Sequence, residues 1–128
     1  MALKRSPLRR KSRSVKAIMK DKAWSEQSKF VRARDKKCVT CGSRDDLQAG
    51  HFKHGDRMDF VVENINTQCS GCNKYRHGNP IPYAIYLEKK FGHGIIQKLE
   101  RQAKISKQFT LAEYTELYEK FKTLNSQS

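Results

Sequence analysis

Four cysteines, arranged as two Cys-x-x-Cys pairs, constrain the fold of this chain more than any other feature. The pairs are Cys38/Cys41 and Cys69/Cys72, and 27 residues separate them. Each pair turns the backbone tightly enough to place two thiolates beside one ion, and two pairs supply the four ligands of a tetrahedral structural Zn²⁺. A redox dithiol is the alternative, but it does not account for two pairs. The pattern predicts a zinc ion that fastens the two ends of a small fold.

The charge of the chain indicates a polyanionic partner. Its 128 residues carry 27 Lys and Arg against 13 Asp and Glu, which gives a net charge of +14. Eight of the basic residues lie in the first 20 positions, which contain no acid, so residues 21–128 carry +6. A field this positive attracts nucleic acid. We therefore predict a basic flexible arm over residues 1–20; its apolar residues are sparse for a mitochondrial targeting segment.

The cellular compartment bears on the chemistry of the cysteines. No secretory signal is visible, and no apolar run approaches the roughly 20 residues that a membrane span needs. We expect a cytoplasmic protein with no membrane partner. Cysteines in a reducing cytoplasm are metal ligands more often than disulfides, which agrees with the predicted zinc.

Apolar periodicity predicts one helix before the cysteines and a mixed segment around them. The helix is predicted over residues 21–37, with Asp21 as its cap. Within residues 38–79, alternation at 47–51 and β-favouring residues at 60–62 predict two strands. A helix should begin at Ser70 and be closed by Gly78. The segment is therefore predicted to form a zinc-clipped core of two strands and one helix.

Residues 80–128 are predicted to be helical. Pro80 suits the first position of a helix that runs to about Phe91. Thr110 and Glu113 form a capping box before the last helix, along which apolar residues recur at helical spacing. This stripe packs against its own domain or forms the interface of a homodimer, and both interpretations stay open. Its members are Leu111, Tyr114, Leu117, Tyr118, Phe121 and Leu124.

Four polar residues within or beside the clipped segment can act together. His51 ends the first predicted strand, and Asn64 precedes the second cysteine pair. Asn73 and His77 are four residues apart and would share one face of the predicted helix. Taken singly, each has an ordinary interpretation, as a hydrogen-bonded strand residue, a helix-start residue or a cation at a helix C-terminus. In this order, in a basic protein with a predicted zinc site, the four favour a shared metal-binding site over four unrelated residues.

The order His, Asn, Cys-x-x-Cys-Asn, His resembles the HNH, or ββα-metal, endonucleases. Residues 21–125 resemble one branch, the bacteriophage NinG (Rap) family, in the segments FVRARD, CVTCG, AGHF, ENINTQC and GNPIPY. The resemblance implies an α+β fold, with a small zinc-clipped ββα-metal core flanked by an N-terminal helix and C-terminal helices. It also implies a structure-selective endonuclease that hydrolyses phosphodiester bonds in branched DNA, such as Holliday junctions, during phage recombination.

The resemblance assigns a role to each matching position. His51 would be the general base, and Asn64 would orient it. Asn73 and His77 would hold the catalytic ion, which we expect to be Mg²⁺ or Mn²⁺. Many HNH enzymes place an Asp or His metal ligand directly before the base, where this chain has Gly50. The nearby candidates for that ligand are Asp45, Asp46 and His54.

DNA would be bound through basic residues of the arm and of the clipped core. Such residues contact phosphates and carry no sequence code. A zinc-stabilised DNA-binding protein without catalysis is the alternative function, and a zinc protein-interaction module would leave the charge unexplained. The predicted DNA contacts are Lys4, Arg5, Arg9, Arg10, Lys11, Arg13, Lys53, Arg57, Lys74 and Arg76.

Overall fold

The structure, a computed structural model, describes residues 13–127. Within them, four α-helices surround one two-stranded antiparallel sheet, which confirms a mixed α+β class. Three short turns link the elements, two of them 3₁₀ and one π-helical. In chain order, the elements are α1 (Val15–Asp35), β1 (Leu47–His51), the 3₁₀ turns Met58–Phe60 and Val62–Asn64, β2 (Ile65–Cys69), the π turn Gly71–Tyr75, α2 (Pro80–Phe91), α3 (Ile95–Ala103) and α4 (Leu111–Ser126).

Helix α1 begins earlier than the sequence predicts. Its N-cap is Ser14, whose hydroxyl accepts the N–H of Ala17 at 3.1 Å, whereas Asp21 lies inside the helix and pairs with Arg13. Residues 15–20, predicted as part of a flexible arm, are therefore helical, because a second capping residue lies upstream of Asp21. Residues 1–12 of the predicted arm lie outside the described residues.

Strand β1 lies where the sequence predicts it, but the prediction for its partner is wrong. Residues 60–62 span the end of one 3₁₀ turn, the extended Val61 and the start of the next turn, and the second strand is β2. The sheet pairs Leu47 with Cys69 at one end and His51 with Ile65 at the other. All five residues of β2 are buried although its centre is polar, which removes the alternation that marks a strand exposed on one face.

The buried polar residues of β2 are hydrogen-bonded to three different parts of the chain. Asn66 donates to the Tyr83 hydroxyl at 3.1 Å, the Thr67 hydroxyl donates to the Val31 carbonyl at 3.0 Å, and Gln68 donates to the Gly78 carbonyl at 2.7 Å. An unpaired buried polar group is costly. These bonds therefore fix the register of β2 against α1, α2 and the turn between β2 and α2.

The C-terminal helices confirm the predicted signals at their starts. Helix α2 begins at Pro80, and Thr110 and Glu113 form both bonds of a capping box before α4. Helix α4 packs on α1, with the Phe30 and Phe121 ring centroids 5.7 Å apart.

Among the described residues, no helix is long and apolar enough to cross a membrane. The buried core around α2 and α3 comprises Met58, Tyr83, Leu87, Ile95 and Leu99.

The stripe on α4 has its buried members inside this chain. Tyr114 and Phe121 are buried, and the Tyr114 ring lies 6.0 Å from that of Phe60. Leu111, at the start of the stripe, is 42% exposed. Packing within the domain accounts for the buried part of the stripe, and the homodimer stays a prediction.

Candidate active site

The four cysteines come together as the sequence predicts. Their Sγ atoms all lie within 4.8 Å of one another, and those of Cys41 and Cys69 are 3.6 Å apart. A tetrahedral ion with Zn–S bonds of about 2.3 Å requires sulfur–sulfur distances of about 3.8 Å. The cluster is therefore able to hold a metal ion such as zinc. Cys38, Cys69 and Cys72 are buried, and Cys41 is exposed.

Backbone bonds place the first cysteine pair beside the second. Cys38 donates its N–H to the Ser43 carbonyl at 2.7 Å, and Val39 donates to the Thr67 carbonyl of β2 at 2.9 Å. In the second pair, the N–H of Cys72 points to the sulfur of Cys69 at 3.4 Å. An ion in this cluster would fasten the chain just after α1 to the end of β2.

The thiols in this cluster differ in their readiness to ionise. Burial alone would raise the pKa of Cys38, but hydrogen bonds from the Thr40 hydroxyl and nearby backbone N–H groups outweigh it and lower that pKa to about 6. For Cys41, the Ser43 N–H acts against the change, yet burial and the three neighbouring thiols raise the pKa to about 12. Crowded thiolates repel one another, and a divalent cation relieves that repulsion.

His51, the predicted general base, is held in a fixed orientation at the end of β1. Its Nε2 lies 2.8 Å from Oδ1 of Asp59. Its ring stacks on that of Trp24, with centroids 5.0 Å apart and planes inclined by 7°, and also lies 5.0 Å from the ring of His54. The side chain keeps 18% of its surface exposed. His51 is therefore both oriented by its partners and open to solvent.

Asp59 is a functional candidate that sequence reasoning missed. The hydrogen bond with His51 is the main cause that lowers the pKa of this carboxyl, burial acts in the opposite direction, and Lys20 adds to the lowering. The Lys20 ammonium lies 3.4 Å from Oδ2 of Asp59. No spacing rule links Asp59 to His51, because a loop and a 3₁₀ turn bring the two together.

Asn64 is completely buried, and its side chain bridges the two ends of the loop between His51 and Asp59. Its Oδ1 accepts the N–H of Lys53 at 2.8 Å, and its Nδ2 donates to the carbonyls of Lys53 and Met58 at 2.9 and 3.0 Å. These bonds join the chain just after His51 to the 3₁₀ turn that contains Asp59. The Asn64 side chain thus fixes the backbone that follows His51 through hydrogen bonds to backbone groups.

The residue before His51 has no room for a side chain. A Cβ on Gly50 would overlap Oε1 of Gln68, a fully buried side chain whose Nε2 donates to the Gly78 carbonyl. An Asp or His ligand at this position would therefore require the buried Gln68 side chain to move. Of the alternative ligands, Asp45 and Asp46 are exposed before the start of β1, at its far end from His51.

The prediction of one helix that aligns Asn73 with His77 is wrong. The structure has a π turn over Gly71–Tyr75, and His77 lies beyond it in the left-handed region at φ 51°. Gly78, expected at a helix C-terminus, does have a positive φ of 86°, and its N–H bonds to the Cys72 carbonyl at 2.9 Å. Three successive left-handed residues, 77–79, turn the chain into α2. A left-handed non-glycine residue is strained, and such strain is common at functional sites.

The amide of Asn73 is oriented, and His77 is exposed. Nδ2 of Asn73 donates to Oε1 of Gln48 at 2.9 Å, which leaves Oδ1 as its free ligand atom for a cation. Within residues 13–127, no second group of three or more His, Cys, Asp or Glu comes close enough to hold an ion.

The predicted DNA contacts differ in accessibility. Lys74 and Arg76 are exposed, and Lys53 is partly buried with its Nζ 3.8 Å from Oε1 of Glu100. Arg57 is partly buried, and Arg13 is exposed and paired with Asp21. Lys4, Arg5, Arg9, Arg10 and Lys11 lie outside the described residues.

Comparison with known proteins places these features in a family. The profile of the family described as "Bacteriophage Lambda NinG protein" matches residues 3–127. Protein ninG of Salmonella phage P22 is 30% identical over 93 residues, which cover 63% of this chain and 46% of that protein. Protein ninG of Escherichia phage lambda and that of Escherichia phage 933W are each 30% identical over 89 residues, 60% of this chain and 44% of each relative.

The extent of the match matters for what it establishes. No solved structure matches the chain. The chain spans less than half the length of the curated relatives it matches. The family profile nevertheless runs over nearly the whole chain, including both cysteine pairs, His51 and Asn64. The chain therefore belongs to the bacteriophage lambda NinG protein family.

Proposed function

We propose that this protein is a metal-dependent endonuclease that hydrolyses phosphodiester bonds in branched DNA during phage recombination. The observation that carries the proposal is the hydrogen-bonded pair of His51 and Asp59, held by the buried amide of Asn64. A histidine that is oriented by a carboxylate and still reaches solvent has the geometry of a general base. A structural zinc bound by the four cysteines would keep this geometry rigid.

The lowered pKa of Asp59 determines which nitrogen of His51 would act. An ionised Asp59 accepts a hydrogen bond, so Nε2 of His51 must carry the proton that is shared in this bond. The neutral imidazole then has its free lone pair on Nδ1. That nitrogen would take the proton of the attacking water. Asp59 would then stabilise the imidazolium that forms, while the stacked ring of Trp24 keeps the imidazole plane fixed.

Asn73 and His77 offer one oxygen and one imidazole nitrogen, so a divalent cation bound there would have few protein ligands. Oδ1 of Asn73 and the imidazole of His77 would hold Mg²⁺ or Mn²⁺, which supplies positive charge to the scissile phosphate when it is bound. Gly50 adds no ligand, so the other positions would go to water and phosphate oxygens, as Mg²⁺ prefers. Our assignment of these two ligands rests on the family motif.

The basic residues around this site favour a nucleic-acid substrate. Lys74 and Arg76 are exposed at the turn that follows Asn73. Lys53 lies two residues after His51, the candidate base. If eight to ten phosphates are contacted, the logarithm of the binding constant should fall with the logarithm of salt concentration with a slope of about −7 to −9. The preference for branched DNA is taken from the family resemblance.

The test compares cleavage by the wild type and by the variant His51→Ala. Labelled four-way junction, replication fork and linear duplex DNA are incubated with each protein in Mg²⁺ and then in Mn²⁺. Removal of a general base should lower the rate by about 10²–10⁴-fold while DNA binding is kept. The variant His93→Ala is a matched control, because His93 is an exposed loop histidine between two glycines and should cut like the wild type.

Two results would contradict the proposal. If His51→Ala cuts as fast as the wild type, the assignment of the base is wrong. If neither protein cuts any substrate in either metal, yet both bind DNA with a steep salt dependence, the protein is a zinc-stabilised DNA-binding protein without catalysis.

A further inference from the structure

The turn after the second cysteine pair exposes an aromatic ring between two cations. Tyr75 is 82% exposed, more than any other large hydrophobic residue among those the structure describes. Its neighbours Lys74 and Arg76 are exposed as well. The exposed ring and the two flanking cations together favour a partner that has a flat apolar face with negative charge on either side of it.

The backbone that carries this ring is anchored on both sides. Arg76 donates its N–H to the Gly71 carbonyl at 3.0 Å, and Gly78 donates to that of Cys72 at 2.9 Å. The Asn79 amide also points to the sulfur of Cys72 at 3.5 Å. Because the turn is tied to a cysteine of the cluster, Tyr75 is presented at a fixed place. Little backbone order would have to be gained on binding.

The turn also lies beside the candidate base. Asn73 is bonded to Gln48 of β1, and a Cβ on Gly78 would stand 3.9 Å from the His51 carbonyl. Tyr75 is three residues from Gly78, so the Cα atoms of the two residues are at most about 11 Å apart. That length corresponds to about three base steps of duplex DNA, at 3.4 Å per step.

We propose that Tyr75 stacks on an unpaired base of DNA, close to the bond that His51 would act on. Lys74 and Arg76 would contact the phosphates on either side of that base. In an intact duplex both faces of every base are covered by neighbouring bases, so the ring finds no free face. A branch point or a single-stranded segment offers one, and base–aromatic stacking is tolerant of sequence. Tyr75 is thus a residue that determines specificity for DNA structure. This inference rests on the proposed function, since it places DNA at His51.

The experiment measures DNA binding without added Mg²⁺ or Mn²⁺, so that no cleavage is needed. The zinc-loaded full chain is titrated against a fork with unpaired bases at its branch point and against a linear duplex of equal length. Both titrations are made at the same salt concentration. Tyr75→Ala should weaken binding to the fork by about 5- to 150-fold and leave duplex binding unchanged. Tyr75→Phe keeps the ring and should bind like the wild type. A 2-aminopurine at the branch point should be quenched by the wild type and not by Tyr75→Ala.

A matched control uses another exposed aromatic residue next to a lysine. Phe91 is 37% exposed and has the Lys90 ammonium 5.4 Å from its ring centroid. Phe91→Ala should leave both affinities unchanged. Zinc content and the thermal transition of every variant show that folding is intact.

The outcomes separate this inference from the nuclease proposal. Equal losses of fork and duplex binding in Tyr75→Ala would overturn stacking on an unpaired base, since the ring would then be a general contact. No loss on either DNA would also overturn it, since the ring would then contact neither substrate. A selective loss in a protein that never cuts would support the role of Tyr75 and overturn the nuclease proposal. A wild type that binds neither DNA overturns both.

Discussion

Replacing Gly50 with Ala tests the packing of Gln68 against the residue before the candidate base. The new Cβ would overlap Oε1 of Gln68, and that side chain is fully buried and bonded to the Gly78 carbonyl. Overpacking of a buried site costs about 1–3 kcal/mol. A displaced Gln68 would leave the Gly78 carbonyl unbonded at a similar cost, while Gly→Ala gains about 0.4–1 kcal/mol from the unfolded chain. We expect Gly50→Ala to lower the free energy of unfolding by about 1–3 kcal/mol.

Urea unfolding of the zinc-loaded protein measures this change, as a lower midpoint with an unchanged slope. The matched background is Gln68→Ala, which removes the obstructing atom. In that background Gly50→Ala should be neutral or slightly stabilising, so the two substitutions should be strongly non-additive. An equal cost in both backgrounds, or no cost in the wild type, would show that Gln68 does not restrict this position.

Three further predictions concern the buried hydroxyl, the candidate dyad and the cysteine cluster. The Tyr83 hydroxyl donates to the Gly50 carbonyl at 2.7 Å and accepts from Asn66, so Tyr83→Phe should cost about 1–3 kcal/mol in urea unfolding; an unchanged midpoint would contradict this. The folded pKa of Asp59 lies below its usual range, so its contribution to stability is present above the unfolded pKa of about 3.9 and is lost as pH falls through the folded value. The wild type should therefore lose stability below about pH 4 more steeply than Asp59→Asn, and parallel pH profiles would refute the pairing. Elemental analysis should find one zinc per chain in the wild type and almost none in Cys69→Ser, whose thermal transition should be lower; equal metal contents would disprove the four-cysteine site.

Local signals in the sequence predicted the parts of the fold that depend on local chemistry. The two cysteine pairs, the capping box at Thr110 and the start of α2 at Pro80 each depend on residues close together in the chain. The start of α1 was predicted at the wrong residue because Ser14 and Asp21 both suit an N-cap, and only the folded chain distinguishes them.

The parts that were missed depend on long-range contacts. Strand β2 is polar and buried, and its hydrogen-bond partners Val31 and Tyr83 lie on helices distant in sequence. No alternation of apolar residues could mark such a strand. The partnership of Asp59 with His51 was missed for the same reason, since it is made by a loop that the Asn64 side chain closes. The cysteine cluster was thus easier to predict than the long-range contacts around His51.

The sheet has a practical consequence for any experiment that removes metal. Leu47 pairs with Cys69 at one end and His51 with Ile65 at the other, so one five-residue ladder joins the cysteine cluster to the candidate base. The two ends of β1 are only about 13 Å apart, at 3.3 Å per residue. A chelator such as EDTA would therefore act at both ends of the ladder: it would remove the ion from the reaction and loosen the strand that holds the histidine. Inhibition by EDTA would look like the loss of a catalytic metal even if it began at the thiolates. Recovery on adding Mg²⁺ alone, compared with Zn²⁺ followed by Mg²⁺, separates the two.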